Sequence, residues 1–534
     1  MTARTLAASL AALGVASAPA LAQCHLAKLV PDDFAVNQDF GYAVAVDGAT
    51  ALVGSNLDST VAENGGAVYV YESTPDGWVP SAKLFASDAS ATLLFGQAVA
   101  LDGDRAVIGA SAAGNAGAAY VFERFGPLWV EVAKLELENP ATADDFGRSV
   151  AIDGDRILIG ARGEDTAGSE AGAAFLYEPD GSGWSLVAEL RATPPLPLET
   201  LGYSVDLDGD VAVLGGPFSN QPETPLGGVV YVFERTEATW TQTARLQPAD
   251  LAPVDQFGWA VAVSGDTIAA CSLNAQVGGT ASGATYFFER AGGSWVEDQK
   301  LTVKGPAFGG IGYDVALDGD RLVASAPNGF GAQGLVYVFE REPSGWQEAY
   351  KLLAPAGSSA DQYGWSVGLA GGTVVVGDPR DDLEDIADVG AAHIHVVGGA
   401  EYVSITPRTT TISAQTGGIQ LLDLSTCPPQ SGDLWFLLGS TSGTSPGVPL
   451  GDGLVIPLVA DDYFAYTLAY PNSIPLVFSL DFMPAGGITT AQVSIPFGFP
   501  ELAGVEAHHA FVLIDPATLA PKLVSNPAPL SIVP

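Results

Sequence analysis

Residues Phe146 to Ala161 read "FGRSVAIDGDRILIGA". The first half alternates through Ser149, Val150, Ala151 and Ile152, the period-two pattern of a strand with one face covered. Asp153-Gly154 has the chemistry of a two-residue hairpin, since glycine takes positive φ freely and aspartate tolerates the left-handed region. The second half, "RILIGA", is a continuous apolar run suited to a strand buried on both faces. A variable loop follows, then "GAAFLYE" at 172–178 and "WSLVAEL" at 184–190. Both are rich in the aromatic and branched residues that pack well on a pleated surface. The unit is therefore four short strands in series.

The unit recurs. An apolar or aromatic residue followed by glycine stands at Phe40-Gly41, Phe95-Gly96, Phe146-Gly147, Leu201-Gly202, Phe257-Gly258, Ile311-Gly312 and Tyr363-Gly364, at spacings of 55, 51, 55, 56, 54 and 52 residues. The hairpin aspartate returns at Asp102, Asp208 and Asp318. Four antiparallel strands repeated at this period predict a β-propeller, and seven copies predict seven blades. Helical periodicity is all but absent from residues 23–400, which excludes a helical solenoid.

The fourth strand begins at Trp78, Trp129, Trp184, Trp240, Trp295 or Trp346, each five residues before Lys83, Lys134, Glu189, Arg245, Lys300 or Lys351. That is six fourth strands for seven repeats. The last repeat stops after "GAAHIHVV" at 390–397, and "HLAKL" at 25–29 supplies the missing piece from the other end of the chain. We expect residues 26–30 to pair antiparallel with residues 392–397, closing the ring without an open sheet edge.

The motifs "FG-x-S/A-V-A-x-D-G-D", "IGA", "GAAYVFE" and "W-x4-KL" resemble the FG-GAP repeat of integrin α-subunits and of bacterial secreted proteins, over about residues 26–397. The resemblance implies a propeller fold and does not by itself imply a function. One departure matters. The integrin-type repeat often carries an acidic calcium loop between its first two strands. Here "DGDR" or "SGDT" is too short to gather the oxygen ligands calcium needs, so those sites are not carried over. "RGE" at 162–164 is not read as an adhesion tripeptide.

Of 534 residues, 21 are Lys or Arg and 61 are Asp or Glu, a formal net charge of −40. Such a surface repels nucleic acid and anionic membranes. Residues 1–22 read as a secretory leader: Arg4, an apolar core from Leu6 to Val15, and Ala20-Leu21-Ala22 as the cleavage site. No later apolar run is long enough to span a bilayer. Three cysteines, Cys24, Cys271 and Cys427, make no disulfide scaffold. Cys271 reads as a buried small hydrophobe, and Cys24 with Cys427 is the one pairing open to an oxidising compartment. Residues 401–534 are punctuated by Pro and Gly and carry about eight strand-like runs, the pattern of a β-sandwich.

The residues after the anchor glycines are Tyr42, Gln97, Arg148, Tyr203, Trp259, Tyr313 and Trp365. On the innermost strands, Tyr42, Tyr203, Trp259, Tyr313 and Trp365 are positioned either to stack on a ligand at the channel mouth or to wedge between blades. The loop "GDPRDDLEDIADVG" at 377–390 offers Asp378, Asp381, Asp382 and Asp385 as a calcium site, against a plain solvated acidic loop. His393 and His395 replace the aromatics of "YVF" in the last repeat, and His25 should lie beside them. Three imidazoles at one seam can ligate zinc. The alternative is that they only fill aromatic positions in the core. Asp206 and Asp314 stand on first strands where other repeats have small residues, and an extracellular hydrolase would use such axial carboxylates. No nucleophile, zinc-protease or phosphate-loop motif accompanies them.

The expectation is thus all-β: a leader at 1–22, a seven-bladed propeller at 23–400 closed by its amino-terminal strand, and a β-sandwich at 401–534. Functionally it is a monomeric, exported, non-enzymatic binding or adhesion protein for extracellular or cell-surface proteins, with a glycan-binding lectin as the alternative. No cofactor is expected beyond the calcium reading.

Overall fold

A computed structural model describes residues 23–397, apart from 34, 75–76, 279, 304–309, 330–332, 355–360 and 383–385, together with strand segments between residues 402 and 533. Within 23–397 the chain forms consecutive four-stranded antiparallel sheets. The third is typical: Phe146–Asp153, Arg156–Ala161, Ala173–Pro179 and Trp184–Leu190 pair in chain order. Five others repeat this order. In the last, Val367–Ala370, Thr373–Asp378 and Ala391–Val397 are joined by Gln23–Leu29, which lies antiparallel to Ala391–Val397 with Lys28 opposite His393 and Leu29 opposite Ala392.

The second strands are buried along nearly their whole length. The fourth strands alternate between exposed and half-buried residues, as edge strands do. The hydrophobic core lies between sheets. Leu52, Val68 and Val70 of the first sheet pack on Phe95, Ile108 and Tyr120 of the second. Leu29, Val375 and Ile394 of the last sheet pack on Phe40, Val44 and Tyr69 of the first. This is β-propeller architecture, in which each sheet buries its faces against its neighbours.

Two repeated contacts set the spacing of the sheets. The anchor residues bridge backbone to backbone with the preceding sheet, as in Phe95 with Gly66, Phe146 with Gly117 and Phe40 with Gly390. Glycine follows the anchor because the approach leaves no room: a Cβ on Gly41, at φ +95°, would stand 2.2 Å from the Ala391 carbonyl oxygen.

The second contact gives the hairpin aspartates a role that turn chemistry does not reveal. Asp47, Asp102, Asp153, Asp208 and Asp318 each accept, through Oδ2, the backbone N–H of the hairpin glycine one sheet further on, at 2.5–2.7 Å. Ser264 does so with its hydroxyl at 3.1 Å. The last sheet has Ala370 at this position, so the junction back to the first sheet lacks a side chain able to make the latch.

Beyond residue 401 the described strands fall into two larger sheets and a hairpin of Val448–Gly451 with Leu454–Ile456. One contains Tyr402–Pro407, Gly418–Cys427, Ile488–Ile495 and Leu476–Val477. The other contains Thr411–Ser413, Ala528–Val533, Glu506–Ile514, Leu434–Ser440 and Leu480–Phe482. One of the strand-like runs of the sequence, "YFAYTLAY" at 463–470, lies outside the described residues, as do the leader at 1–22 and the side chains of Cys24 and Cys427. Cys271 is buried and free.

Candidate functional site

The first strands of the sheets surround a cavity of about 390 Å³, lined at one end by Tyr42, Gln97, Arg148, Tyr203, Trp259, Tyr313 and Trp365. Each sits one residue after an anchor glycine. Anchor and follower stand two residues apart, which an unbroken strand would place on one face; a register shift follows Phe40, Phe146 and Phe257, and the glycine between takes positive φ. The anchors Phe40, Phe146 and Phe257 are fully buried, while the followers are half-buried toward the channel.

The five aromatics make one contiguous arc. Ring centroids are 4.9 Å apart for Tyr203 and Trp259, 6.0 Å for Trp259 and Tyr313, 4.8 Å for Tyr313 and Trp365, and 5.7 Å for Trp365 and Tyr42. Successive planes tilt by 47–52°. Each ring leans on a ring of the adjacent sheet around one end of the channel. The arc is bounded by polar groups. The Arg148 guanidinium lies 5.2 Å from the Tyr203 ring centre, and Gln97 Oε1 accepts from the Ser111 hydroxyl at 2.6 Å.

Two further residues support the arc and were not legible as such in the sequence. Phe218 packs edge-on against Tyr203 and Trp259, and only the unusual "GPF" after the fourth sheet's second strand hints at it. Arg162, from the "RGE" stretch, lies 5.5 Å from the Tyr203 ring and pairs with Asp145 at 2.7 Å. Its neighbour Glu164 is buried and paired with Arg191. The tripeptide is thus engaged within the fold.

Asp206 and Asp314 also line the channel. Asp206 Oδ2 accepts the Val263 N–H of the next sheet at 2.7 Å, and Asp314 Oδ2 accepts the Val367 N–H at 2.8 Å. Burial raises their pKa values against these hydrogen bonds, to about 7 for Asp206 and about 6 for Asp314. Each carboxyl ties two sheets together.

A second polar cluster lies at the joint made by Gln23–Leu29. Asp378 and His393 are buried, and Asp381 nearly so. Ligand atoms of all three lie within 4.8 Å of one another. His393 Nε2 is 3.6 Å from Asp378 Oδ2, and His393 Nδ1 is 3.1 Å from His25 Nε2. His395 instead meets the Tyr363 hydroxyl at 2.7 Å. Lys28 Nζ donates to Asp381 Oδ1 at 2.5 Å. Burial, reinforced by Asp381 and Asp361, pushes the Asp378 carboxyl up to about 9. Burial holds the His25, His393 and His395 imidazoles well below their usual range.

Of the acidic set in the loop, Asp378 and Asp381 come together. Asp382 is exposed and caps the Asp388 N–H at 3.0 Å, and Asp385 lies outside the described residues. The sequence separates the loop acids from the strand histidines, and the fold merges Asp378, Asp381 and His393.

The repeated sheets and their inter-sheet contacts define a β-propeller protein. The FG-GAP repeat model matches residues 25–71, 78–122, 129–177, 240–288 and 346–395. Each window runs from the fourth strand of one sheet through the third strand of the next, so the unit spans a junction. The chain is an FG-GAP repeat protein. Among solved structures it is similar to the acylaminoacyl peptidase of Pyrococcus horikoshii, at 9% identity and TM-score 0.39, over 73% of this chain and 59% of the peptidase's length. It is also similar to the β-propeller domain of the Trilobed protease from Pyrococcus furiosus, at 9% identity and TM-score 0.38, over 65% of this chain and 91% of that domain. No curated protein matches the chain in sequence. No helix among the described residues is long and apolar enough to cross a membrane.

Proposed function

We propose that the chain is an exported, non-enzymatic binding protein whose ligand, a neutral glycan, enters at the aromatic mouth of the channel. In this reading the sheets are seven blades of a ring closed by the amino-terminal strand, and residues 401–534 form a β-sandwich that follows it. The observation that carries the ligand class is the arc of Tyr203, Trp259, Tyr313, Trp365 and Tyr42 around a cavity of about 390 Å³. Sugars present C–H faces that stack on aromatic rings, and hydroxyls that need a few fixed polar partners. Arg148 and Gln97 stand at the open side of the arc to supply them. A concave mouth of this size fits one or two sugar rings better than the flat face of a protein partner. The scarcity of Lys and Arg is consistent with an uncharged ligand.

Screening the mature protein on a glycan array, then titrating hits by tryptophan fluorescence, tests the reading. We expect Trp259→Ala and Trp365→Ala to weaken binding at least tenfold with little change in melting temperature. An array without hits, or unfolding of both variants with no ligand lost, refutes it and returns these rings to a packing role.

A further inference from the structure

We propose that Asp378, Asp381 and His393 form a site for a divalent metal ion of the zinc or manganese class, where the amino-terminal strand meets the last sheet. The site is independent of the channel mouth, and its success or failure leaves the glycan reading untouched.

Register comparison shows what is unusual here. Asp378 pairs with Ala391 at the end of the second strand. The matching positions in the other sheets are Ser55, Ala110, Ala161, Gly216, Ser272 and Ala326. His393 takes the position held by Tyr69, Tyr120, Phe175, Tyr231, Tyr286 and Tyr337. The last sheet therefore replaces a small residue by a carboxylate and an aromatic by an imidazole, at adjoining points of the same core.

Three polar atoms of these two residues lack a hydrogen bond. Both carboxylate oxygens of Asp378 and His393 Nε2 are buried without a hydrogen-bond partner, and Asp378 has no exposed surface. A buried polar group with no partner is costly, and a metal ion is one of the few groups able to satisfy two carboxyl groups and an imidazole together. The mixed oxygen and nitrogen set favours zinc or manganese over calcium, which prefers oxygen alone. His25 completes the arrangement. It engages His393 Nδ1, which leaves Nε2 directed at the carboxylates, the orienting contact that metal-ligating histidines ordinarily have. Lys28 now occupies one oxygen of Asp381, so its ammonium competes with the metal.

The test uses the mature full-length protein, stripped with chelator and dialysed. Zinc, manganese, calcium and magnesium are titrated in separate calorimetric runs, and retained metal is counted by mass spectrometry after gel filtration. We expect one equivalent of zinc or manganese. Asp378→Ala installs the residue of three other sheets and His393→Tyr the residue of five, so both should keep a wild-type circular dichroism spectrum while losing at least a hundredfold in affinity. Lys28→Met should bind about tenfold tighter. The proposal fails if no metal binds. It also fails if binding survives both ligand variants, if only calcium or magnesium binds, or if Lys28→Met weakens it.

Discussion

The first and last sheets share one plan and differ in how they treat a buried carboxylate. In the first, Asp58 Oδ2 accepts from the Tyr69 hydroxyl at 3.0 Å, Lys83 Nζ at 2.8 Å and Gln38 Nε2 at 3.3 Å, and its Oδ1 accepts the Thr60 N–H at 2.8 Å. Asp33 adds a second anion for Lys83 at 2.6 Å. In the last, Lys28 holds the corresponding lysine position opposite His393 and pairs with Asp381, while Asp378 is left over. The first sheet closes its polar network within one continuous stretch of chain. The last must assemble it from both ends of the chain, and has one acid more than its donors serve. The same asymmetry appears at the hairpins, where a side-chain latch joins successive sheets and Ala370 cannot provide one.

The largest effect should come from removing residues 23–29. This takes away the fourth strand of the last sheet and exposes the edge of Ala391–Val397. The loss should exceed about 5 kcal/mol, a large share of a domain's net stability, and appear as lost cooperative melting and as association in size exclusion.

Next comes the acid pair. Asp58→Ala removes the buried one of the two carboxylates that serve Tyr69 and Lys83, leaving them Asp33 alone, and should cost about 2–3 kcal/mol in denaturant unfolding. Asp378→Ala, measured in chelator, removes an unsatisfied group and should be neutral or stabilising by about 1 kcal/mol. Equal losses in the two would erase the contrast between the sheets.

A third, comparable effect is carried by pH. Asp206 has a folded-state pKa raised to about 7, above its unfolded value of about 3.9. The native state therefore binds the proton more tightly, and this contribution is complete below pH ~4 and lost as pH rises through ~7. Asp206→Asn keeps an acceptor for the Val263 N–H and removes the penalty. Its stability relative to wild type should climb between pH 4 and 7 and level off on the order of 2 kcal/mol higher. A flat difference across that window would mean that channel water already solvates the carboxylate. The smallest effect is the repair of the seam. Ala370→Asp should reach the next hairpin's N–H and add about 0.5–1 kcal/mol, while Asp102→Ala should cost a similar amount.

Most of the strand pattern was legible in the sequence, because period-two alternation, Asp-Gly hairpins and a tryptophan-led fourth strand are local signals repeated in register. The anchor glycines also marked the channel residues as candidates, but the register shift that turns the follower away from its anchor is a feature of the folded sheet. The latch was hidden. Asp102 looks like a turn residue, and its partner Gly154 lies 52 positions away. The seam cluster was seen only in halves, as loop acids and as strand histidines. No spacing rule links Asp378, His393 and Lys28 when the last comes from the opposite end of the chain.

The sequence by itself therefore determined the repeat, its strands and the faces they turn, because these follow from backbone periodicity over a few residues. Only the tertiary structure decided which side chains meet across sheets: the aromatic arc, the hairpin latches and the joining of Asp378 with His393. Those contacts depend on how consecutive sheets stack and on where the two ends of the chain meet, and distance in space is not written in distance along the chain.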